Sequence, residues 1–438
     1  MTSAVVPFPR RARRASSVSL TEKLVFGAAV FMLLIYSQGW ELPLVGGGDE
    51  TANSELLRTL FLPAYAAGVA LMALTPWRLG VGLVRQPFLI VILLVVALSY
   101  FWSVSPDQTS RRIFALLFTT LGGVVLAARY SWARLAEVLA TTFAILALCS
   151  LFTSLFVPSI GRMSDVFPGA WRGLWEEKNS FGGNMAIGAA LCAAAAILNP
   201  KRAVIWCSAA ALSLLLVIIS TSKTALVAEL IGAVALALVW TVRRGRAASV
   251  AASWTVVTAV IAAAAVMTFA ADTVLGVLGK DATLTGRTQI WAAVIRQIKE
   301  RPWQGFGYAA IWDNTDQWGP LAWITHEIGF RAHHAHNSWL EQWLSIGVPG
   351  LVAWSAFYLQ TLVANIFALY RDRGAYVALP FFAIYSLTSL TESIAVVYND
   401  MRWVIFVALA VKLALPDPAP PRAAPRTAAE RRVDWDAD

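Results

Sequence analysis

Apolar runs long enough to cross a bilayer recur from one end of this chain to the other, and no other feature constrains its fold as much. Hydrocarbon offers no partner for a backbone N–H or C=O, so such runs satisfy themselves as helices. Twelve candidate spans can be read: 24–40, 57–76, 87–104, 113–128, 135–157, 181–198, 203–221, 224–242, 250–271, 349–370, 375–397 and 402–415. Composition agrees, with 58% apolar and 14% charged residues, against about 25% charged in soluble domains. The expected fold is an all-α polytopic membrane protein of about 12 transmembrane helices, with its largest loop between helices 9 and 10. Cys149, Cys192 and Cys207 all lie inside apolar runs and read as small core residues, not as a disulfide framework.

The net charge of +9 suggests nucleic-acid binding at first sight, but its distribution does not. Arg10, Arg11, Arg13 and Arg14 precede the first span, with no small-residue cleavage site after it, which reads as an uncleaved cytoplasmic tail. Alternate loops then carry Arg78/Arg85, Arg129/Arg134, Lys201/Arg202, Arg243/Arg244/Arg246 and Arg371/Arg373, and the C-terminal segment adds Arg422, Arg426, Arg431 and Arg432. The opposite loops are mixed or acidic, as in "GGGDETANSE" at 46–55. This is the positive-inside pattern with both termini cytoplasmic, and it leaves no nucleic acid to expect as a partner. The twelfth span is short and contains Lys412, whose side chain is expected to snorkel to the inner interface.

The chain divides into a basic tail (1–20), helices 1–9 (21–271), a large external loop (272–348), helices 10–12 (349–415) and a Pro/Ala/Arg-rich tail that reads as disordered (416–438). The two halves do not mirror each other, which weakens an inverted-repeat transporter reading. All four histidines, His326, His333, His334 and His336, fall in the large loop. Within it "TGRTQIWAAVIRQIKER" (285–301) reads as a helix stopped by Pro302. Its apolar face holds Ile290, Trp291, Val294, Ile295 and Ile298, with Arg287 in the middle and Arg296 on the solvated side. A buried guanidinium needs an anion. Arg287 is expected to hold a phosphate or carboxylate, or to pair internally with Asp281 or Asp313. Ser338 to Glu341 fits a capping box, placing His336 and Asn337 just before a helix that stops at "GVPG" (347–350).

The histidines admit three readings: a metal cage on His333, His334 and His336, one acid–base residue, or idle interface side chains. Zinc wants well-separated ligands from more than one element, and an adjacent pair such as His333–His334 points apart. A base needs one histidine only. Basic groups from distant segments join it at the same expected face. Lys223 stands at the edge of span eight in "STSKTALVAEL", either functional or snorkelling. Arg172, Lys178 and Asn179 precede span six, with Glu176 and Glu177 alongside. Glu392, at the outer end of span eleven, is placed to orient a base or bind sugar hydroxyls, and Glu229 lies deeper in span eight. Four cations and one titratable base at a lipid interface suit a membrane-bound phosphate or diphosphate. The tryptophans of the loop (Trp291, Trp303, Trp312, Trp318, Trp323, Trp339, Trp343) are either interface belt or platforms for sugar rings.

"GRTQIW", "ERPWQGFG" and "HAHNSWLEQWLSIGVPGL", with "WRGLWEEKNSFGGNMA" and "STSKTALVAEL" in order before them, resemble the O-antigen ligase / O-antigen polymerase superfamily, most of all its ExoQ-like exopolysaccharide polymerases. The resemblance runs over roughly residues 100 to 400 and is specific in combination rather than in any one piece. It implies that His336 acts on the acceptor and that Arg287 is essential. It puts Lys223 where the family usually has arginine, so a point charge replaces a bidentate fork. It further implies a metal-independent glycosyltransferase without cofactor in a bacterial inner membrane, working at the periplasmic face. The donor would be an oligosaccharide on undecaprenyl diphosphate, held by Arg287 and Lys223. Arg172, Lys178, Asn179, Asn337 and Glu392 would orient the substrates. A glycan acceptor, membrane lipids and polysaccharide chain-length or export proteins complete the implied partners. A ligase acting on lipid A-core, and a lipid-linked sugar flippase or transporter, are the other readings.

Overall fold

The computed structural model describes residues 19–45, 50–164, 167–269 and 287–417. The basic tail before residue 19, the tail after 417, and residues 270–286 with Asp281 lie outside them. Among the described residues there is no strand beyond one isolated bridge, Arg162 to Trp171. The helices run in order α1 (Leu20–Tyr36), α2 (Glu41–Val45), α3 (Glu50–Ala73), α4 (Pro76–Val84), α5 (Pro87–Leu98), α6 (Pro106–Arg129), α7 (Trp132–Phe156), α8 (Pro158–Gly161), α9 (Lys178–Leu198), α10 (Ala203–Ile219), α11 (Lys223–Val242), α12 (Arg246–Phe269), α13 (Arg287–Glu300), α14 (Pro320–Ile328), α15 (Ser338–Arg371), α16 (Ala375–Ser389) and α17 (Met401–Leu413). The chain is an all-α polytopic membrane protein.

Each of the twelve sequence spans falls on one of these helices, but they are not twelve equal crossings. Among the described residues seven helices are long and apolar enough to cross a membrane, or eight if the sharply bent pair α3–α4 counts as one. The 13 residues of α17 rise only ~20 Å at ~1.5 Å each, short of a hydrocarbon core of ~30 Å. Span eleven also ends early. Its helix α16 stops at Ser389, and the chain then turns across the end of the bundle, with Val396 and Asn399 at φ 54° and 58°.

Lipid is as apolar as a helix surface, so helices in a membrane associate by close packing rather than by hydrophobic expulsion. Helix α9 shows how. Its sequence is dominated by Ala and Gly, and it is buried along its length against α7, α10, α11 and α16. At the other side Trp354, Phe357, Tyr385, Trp403 and Phe406 join α15, α16 and α17. The Trp403 and Phe406 rings stack with centroids 5.9 Å apart, and such pairs contribute ~0.5–1.5 kcal/mol beyond their area.

The basic loops share one face, as their alternation requires. There Glu137 accepts from Arg134 (2.6 Å) and Arg202 (2.9 Å), and Asp372 accepts from the Trp132 indole (3.0 Å). Arg85 and Arg78 hold the carbonyls of Ala414 (2.7 Å) and Pro416 (2.5 Å). Lys412 departs from the snorkelling expectation. Its side chain is fully buried, paired with Asp417 at 2.8 Å and placed over the Trp132 ring. A counter-ion within reach replaces the route to water.

At the opposite end the large loop is clasped to the bundle. Helix α15 breaks at Ile346 and Gly347 (φ 67°), where "GVPG" predicts a stop. Val348 N–H donates to the Pro302 carbonyl (2.9 Å), and Phe306 and Gly307 donate to Leu344 and Ser345. A Cβ at Gly347 would collide with the Trp303 carbonyl, so only glycine allows this approach. The two family-like motifs "ERPWQGFG" and "SIGVPG" are thus the two halves of one clasp.

Candidate functional site

Helix α13 begins at Arg287 and packs Ile290, Ala293, Val294 and Ile298 inward. Trp291 is half-buried, but Ile295 is exposed, contrary to the expected apolar face. The loop contributes only a narrow stripe of cover there. Arg296 pairs with Glu327 on the solvated side, as its wheel position predicts. Arg287 points inward and donates from Nη2 to Glu392 Oε1 at 2.6 Å. Its carboxylate partner is therefore Glu392, 105 residues away, and not Asp313, which pairs with Arg112.

The other Glu392 oxygen, Oε2, lies 3.1 Å from His336 Nδ1. One carboxylate thus joins the arginine to the histidine. With Nδ1–H donated to Glu392, the His336 Nε2 is left as the proton acceptor. Burial pushes the Glu392 carboxyl up, but the His336 hydrogen bond and the Arg287 charge outweigh it and hold the group below its ordinary range. The stabilisation is fully present above the unfolded carboxylate value of ~4.3 and is lost as pH falls through the lower folded value. Thermal unfolding in detergent should show wild type losing stability below about pH 4, while Glu392→Gln, which cannot titrate, shows a flatter profile. Equal acid slopes in the two proteins would contradict the linkage.

His336 sits at φ 50°, one of six described non-glycine residues with positive φ (Gln38, Thr221, Ala309, His336, Val396, Asn399), all of them in segments between helices. Strained backbone persists where packing over-determines it, commonly at functional sites. The packing here is a polar frame. Glu341 Oε1 accepts from the Trp312 indole (2.6 Å), and its Oε2 accepts from Ala335 N–H (2.9 Å) and Ser393 Oγ (3.0 Å). Ser338 Oγ donates to the Glu392 carbonyl (2.8 Å) and accepts from Ile394 N–H. The expected capping box is not formed: Asn337 is the N-cap of α15, its Oδ1 accepting from Trp339 and Leu340. Ser338 and Glu341 instead tie the histidine loop to the turn that carries Glu392.

The histidines separate into two pairs. His326 and His333 are exposed. His334 and His336 have ring centroids 3.8 Å apart. Burial, then the neighbouring His336, pushes the His334 pKa down to about 3, so His334 is neutral. His334, His336 and Glu392 are close enough to share a metal ion. Arg287 argues against a divalent cation there, because a fixed positive charge already occupies one Glu392 oxygen.

Beside Glu392 lies a small polar cavity, lined by Asn179, Ser180, Thr224, Thr388, Thr391, Glu392 and Arg402. Three of these hydroxyls and an amide come from the first turns of α9 and α11 or from the end of α16. Helix N-termini carry unpaired N–H groups and a positive end, which suits an anion. Ser222 Oγ, the N-cap of α11, bonds Asn179 Oδ1 at 2.8 Å and locks the two termini together. Lys178 and Lys223 immediately precede the lining residues Asn179 and Thr224, and their ammonium groups are near enough to repel each other. Lys178 also lies 3.7 Å over the Phe167 ring.

Not every expected residue converges. The Arg172 guanidinium holds the carbonyls of Ile160 (2.8 Å) and Ser159 (3.1 Å) in its own loop and does not line the cavity. Asn337 acts through its cap and a bond to the Leu390 carbonyl. The indoles of Trp291, Trp312, Trp339 and Trp343 pin the loop by hydrogen bonds, whereas Trp303, Trp318 and Trp323 are exposed. Arg402 is the residue that sequence reading missed. It pairs with Asp400 through Nε (3.0 Å) and Nη2 (2.5 Å) and lines the cavity beside Glu392. The available signal was "DMR", an acid and an arginine at the head of the last span.

Fold and site together define a polytopic helical membrane protein with a histidine–carboxylate–arginine chain over a polar, cation-rimmed cavity at one end of its bundle. Residues 208–355 match the family described as O-antigen ligase (Wzy_C). Over 82 residues the chain is 40% identical to "Exopolysaccharide production protein ExoQ" of Rhizobium meliloti (strain 1021), a match covering 18% of this chain and 19% of that protein. The chain is thus similar to the O-antigen ligase family over its central third, and it spans under a fifth of the length of the ExoQ protein that it matches. The matched family region contains Lys223, Arg287, His336 and Asn337; Glu392 and Arg402 lie beyond it.

Proposed function

We propose that this protein is a membrane glycosyltransferase that polymerises oligosaccharide repeat units carried on undecaprenyl diphosphate, at the periplasmic face of the bacterial inner membrane. The observation that carries the reading is the His336–Glu392–Arg287 chain above the polar cavity. The diphosphate lies among Arg287, Lys223, Lys178 and the two helix N-termini. The acceptor hydroxyl oxygen bonds to the anomeric carbon as the C–O bond to diphosphate breaks. Undecaprenyl diphosphate leaves with the electron pair, and the hydroxyl proton passes to His336 Nε2. Diphosphate is a competent leaving group, so the residues present suffice without a metal. The basic loops gathered on the opposite face support an orientation in which that face is cytoplasmic and both termini lie inside.

A ligase would use the same chemistry with another acceptor. A transporter reading rests on Glu229, which lies ~9 Å along α11 from Lys223 and whose Oε2 has no hydrogen-bond partner among the described residues. The test is an assay of purified protein with lipid-linked repeat unit in the presence of EDTA. A ladder of products supports the polymerase. Product only after addition of lipid A-core shifts the assignment to a ligase. No product with either acceptor from folded protein, together with a Glu229→Gln variant that loses polymer export in cells, overturns the transferase.

A further inference from the structure

His334 stands outside the His336–Glu392–Arg287 chain, yet it touches His336 twice. The His336 backbone N–H donates to His334 Nδ1 at 3.2 Å, and the two rings lie with centroids 3.8 Å apart and planes tilted by 51°. His336 is held at φ 50°, a left-handed backbone that residues with a Cβ adopt rarely. An acceptor reaching from residue i to the N–H of residue i+2 is what asparagine supplies in an Asx turn. Histidine Nδ1 is as many bonds from the backbone as asparagine Oδ1, so His334 supplies the same. Ala335 between them is fixed at both ends: its N–H donates to Glu341 Oε2 (2.9 Å), and its carbonyl accepts from the Trp291 indole (3.0 Å). The acceptor role requires a neutral His334, because an imidazolium carries a proton on both nitrogens. The charged and titratable groups that face it are His336, Glu392, Arg402 and Arg287. Two of these are fixed cations, and the one anion is already shared between Arg287 and His336, so the surroundings favour the neutral ring with its proton on Nε2.

We infer that His334 is a positioning residue for His336: its Nδ1 holds the left-handed backbone and its ring backs the imidazole, so that His336 Nε2 keeps one direction. Glu392 alone does not achieve this. It restrains one edge of the His336 ring through Nδ1 and leaves the backbone free to relax to a commoner φ, which would swing Cβ and carry Nε2 with it. The H-x-H spacing thus has a cause other than metal binding, since side chain i meets the N–H of residue i+2. The inference rests on the transferase reading for what His336 does to the acceptor; the contact between the two histidines does not. Because His334 acts on His336 and not on a substrate, its loss falls on kcat and leaves KM in place. A misplacement of about 1 Å at a reacting group costs ~10²-fold in rate.

The experiment compares His334→Asn and His334→Leu with wild type, using the full chain in detergent. The two replacements are close in size, and only asparagine offers the acceptor. Hydrogen exchange of backbone amides, read by mass spectrometry on peptides within 331–343, reports the His336 N–H apart from any activity. Exchange there is expected to be slow in wild type and in His334→Asn, and about tenfold faster or more in His334→Leu. Turnover of lipid-linked repeat unit should fall ~10²-fold in kcat for His334→Leu, with KM within about twofold of wild type. His334→Asn should keep kcat within about fivefold, because its Oδ1 restores the turn. Where wild type turns over, failure of either measurement to separate the two variants overturns the inference. So does a loss carried by KM, which would make His334 a substrate contact. If His334→Leu does not fold, His334→Asn decides: a folded variant that loses more than about tenfold in kcat contradicts the role of the acceptor. A wild type that forms no glycosidic bond yet shows the expected exchange pattern would sink the transferase reading and leave the positioning contact standing.

Discussion

His336→Ala is expected to reduce polymer formation by ~10²–10⁴-fold, the usual contribution of a positioned acid–base group. The imidazole is fixed by Glu392 on Nδ1 and presents Nε2 to an acceptor hydroxyl. The variant should bind farnesyl diphosphate as wild type does, because the phosphate-facing groups are untouched. His336→Gln is the sharper companion, since it keeps volume and hydrogen bonding but takes no proton. If either variant retains more than a tenth of wild-type turnover, His336 is not the base. The parallel substitutions His326→Ala and His333→Ala, both at exposed positions, should leave turnover within twofold.

Arg287→Ala should lose ~10²–10³ in turnover, the scale seen when one electrostatic stabiliser of developing charge is removed. Here the loss has two origins. The departing diphosphate loses a cation, and Glu392 loses its 2.6 Å partner, leaving a largely buried carboxylate that must be desolvated without compensation. Arg287→Lys separates them. It restores a charge but not the fork, so it should recover the Glu392 pairing and part of the diphosphate affinity while remaining well below wild type in turnover. Full recovery by lysine would mean that charge alone matters at this position. Lys223 offers an internal comparison, because the chain already uses a point charge there. Lys223→Arg is therefore expected to be tolerated better than Arg287→Lys.

Much of this molecule follows from sequence alone. The apolar runs require helices because lipid leaves the backbone no other partner, and each of the twelve runs carries a helix over most of its length. Basic alternation assigns the loops to two faces, and the structure gathers the basic loops on one. The break at "GVPG" and the amphipathic helix over 287–300 are local properties, carried by Gly, Pro and a 3.6-residue period. Tertiary structure decided what depends on residues distant in the chain. Arg287 requires an anion on physical grounds, but Glu392 meets it only because α16 stops at Ser389 and its following turn crosses to the loop. The capping box fails because Ser338 and Glu341 are claimed by Ser393, Ile394 and Trp312. Lys412 stays buried because Asp417 folds back to it. Arg172 is drawn into its own loop by two carbonyls, and Arg402 comes to line the cavity beside Glu392. Periodicity tells which residues share a helix face. A salt bridge or a cavity wall depends on which faces meet, and that is set by the packing of the whole bundle.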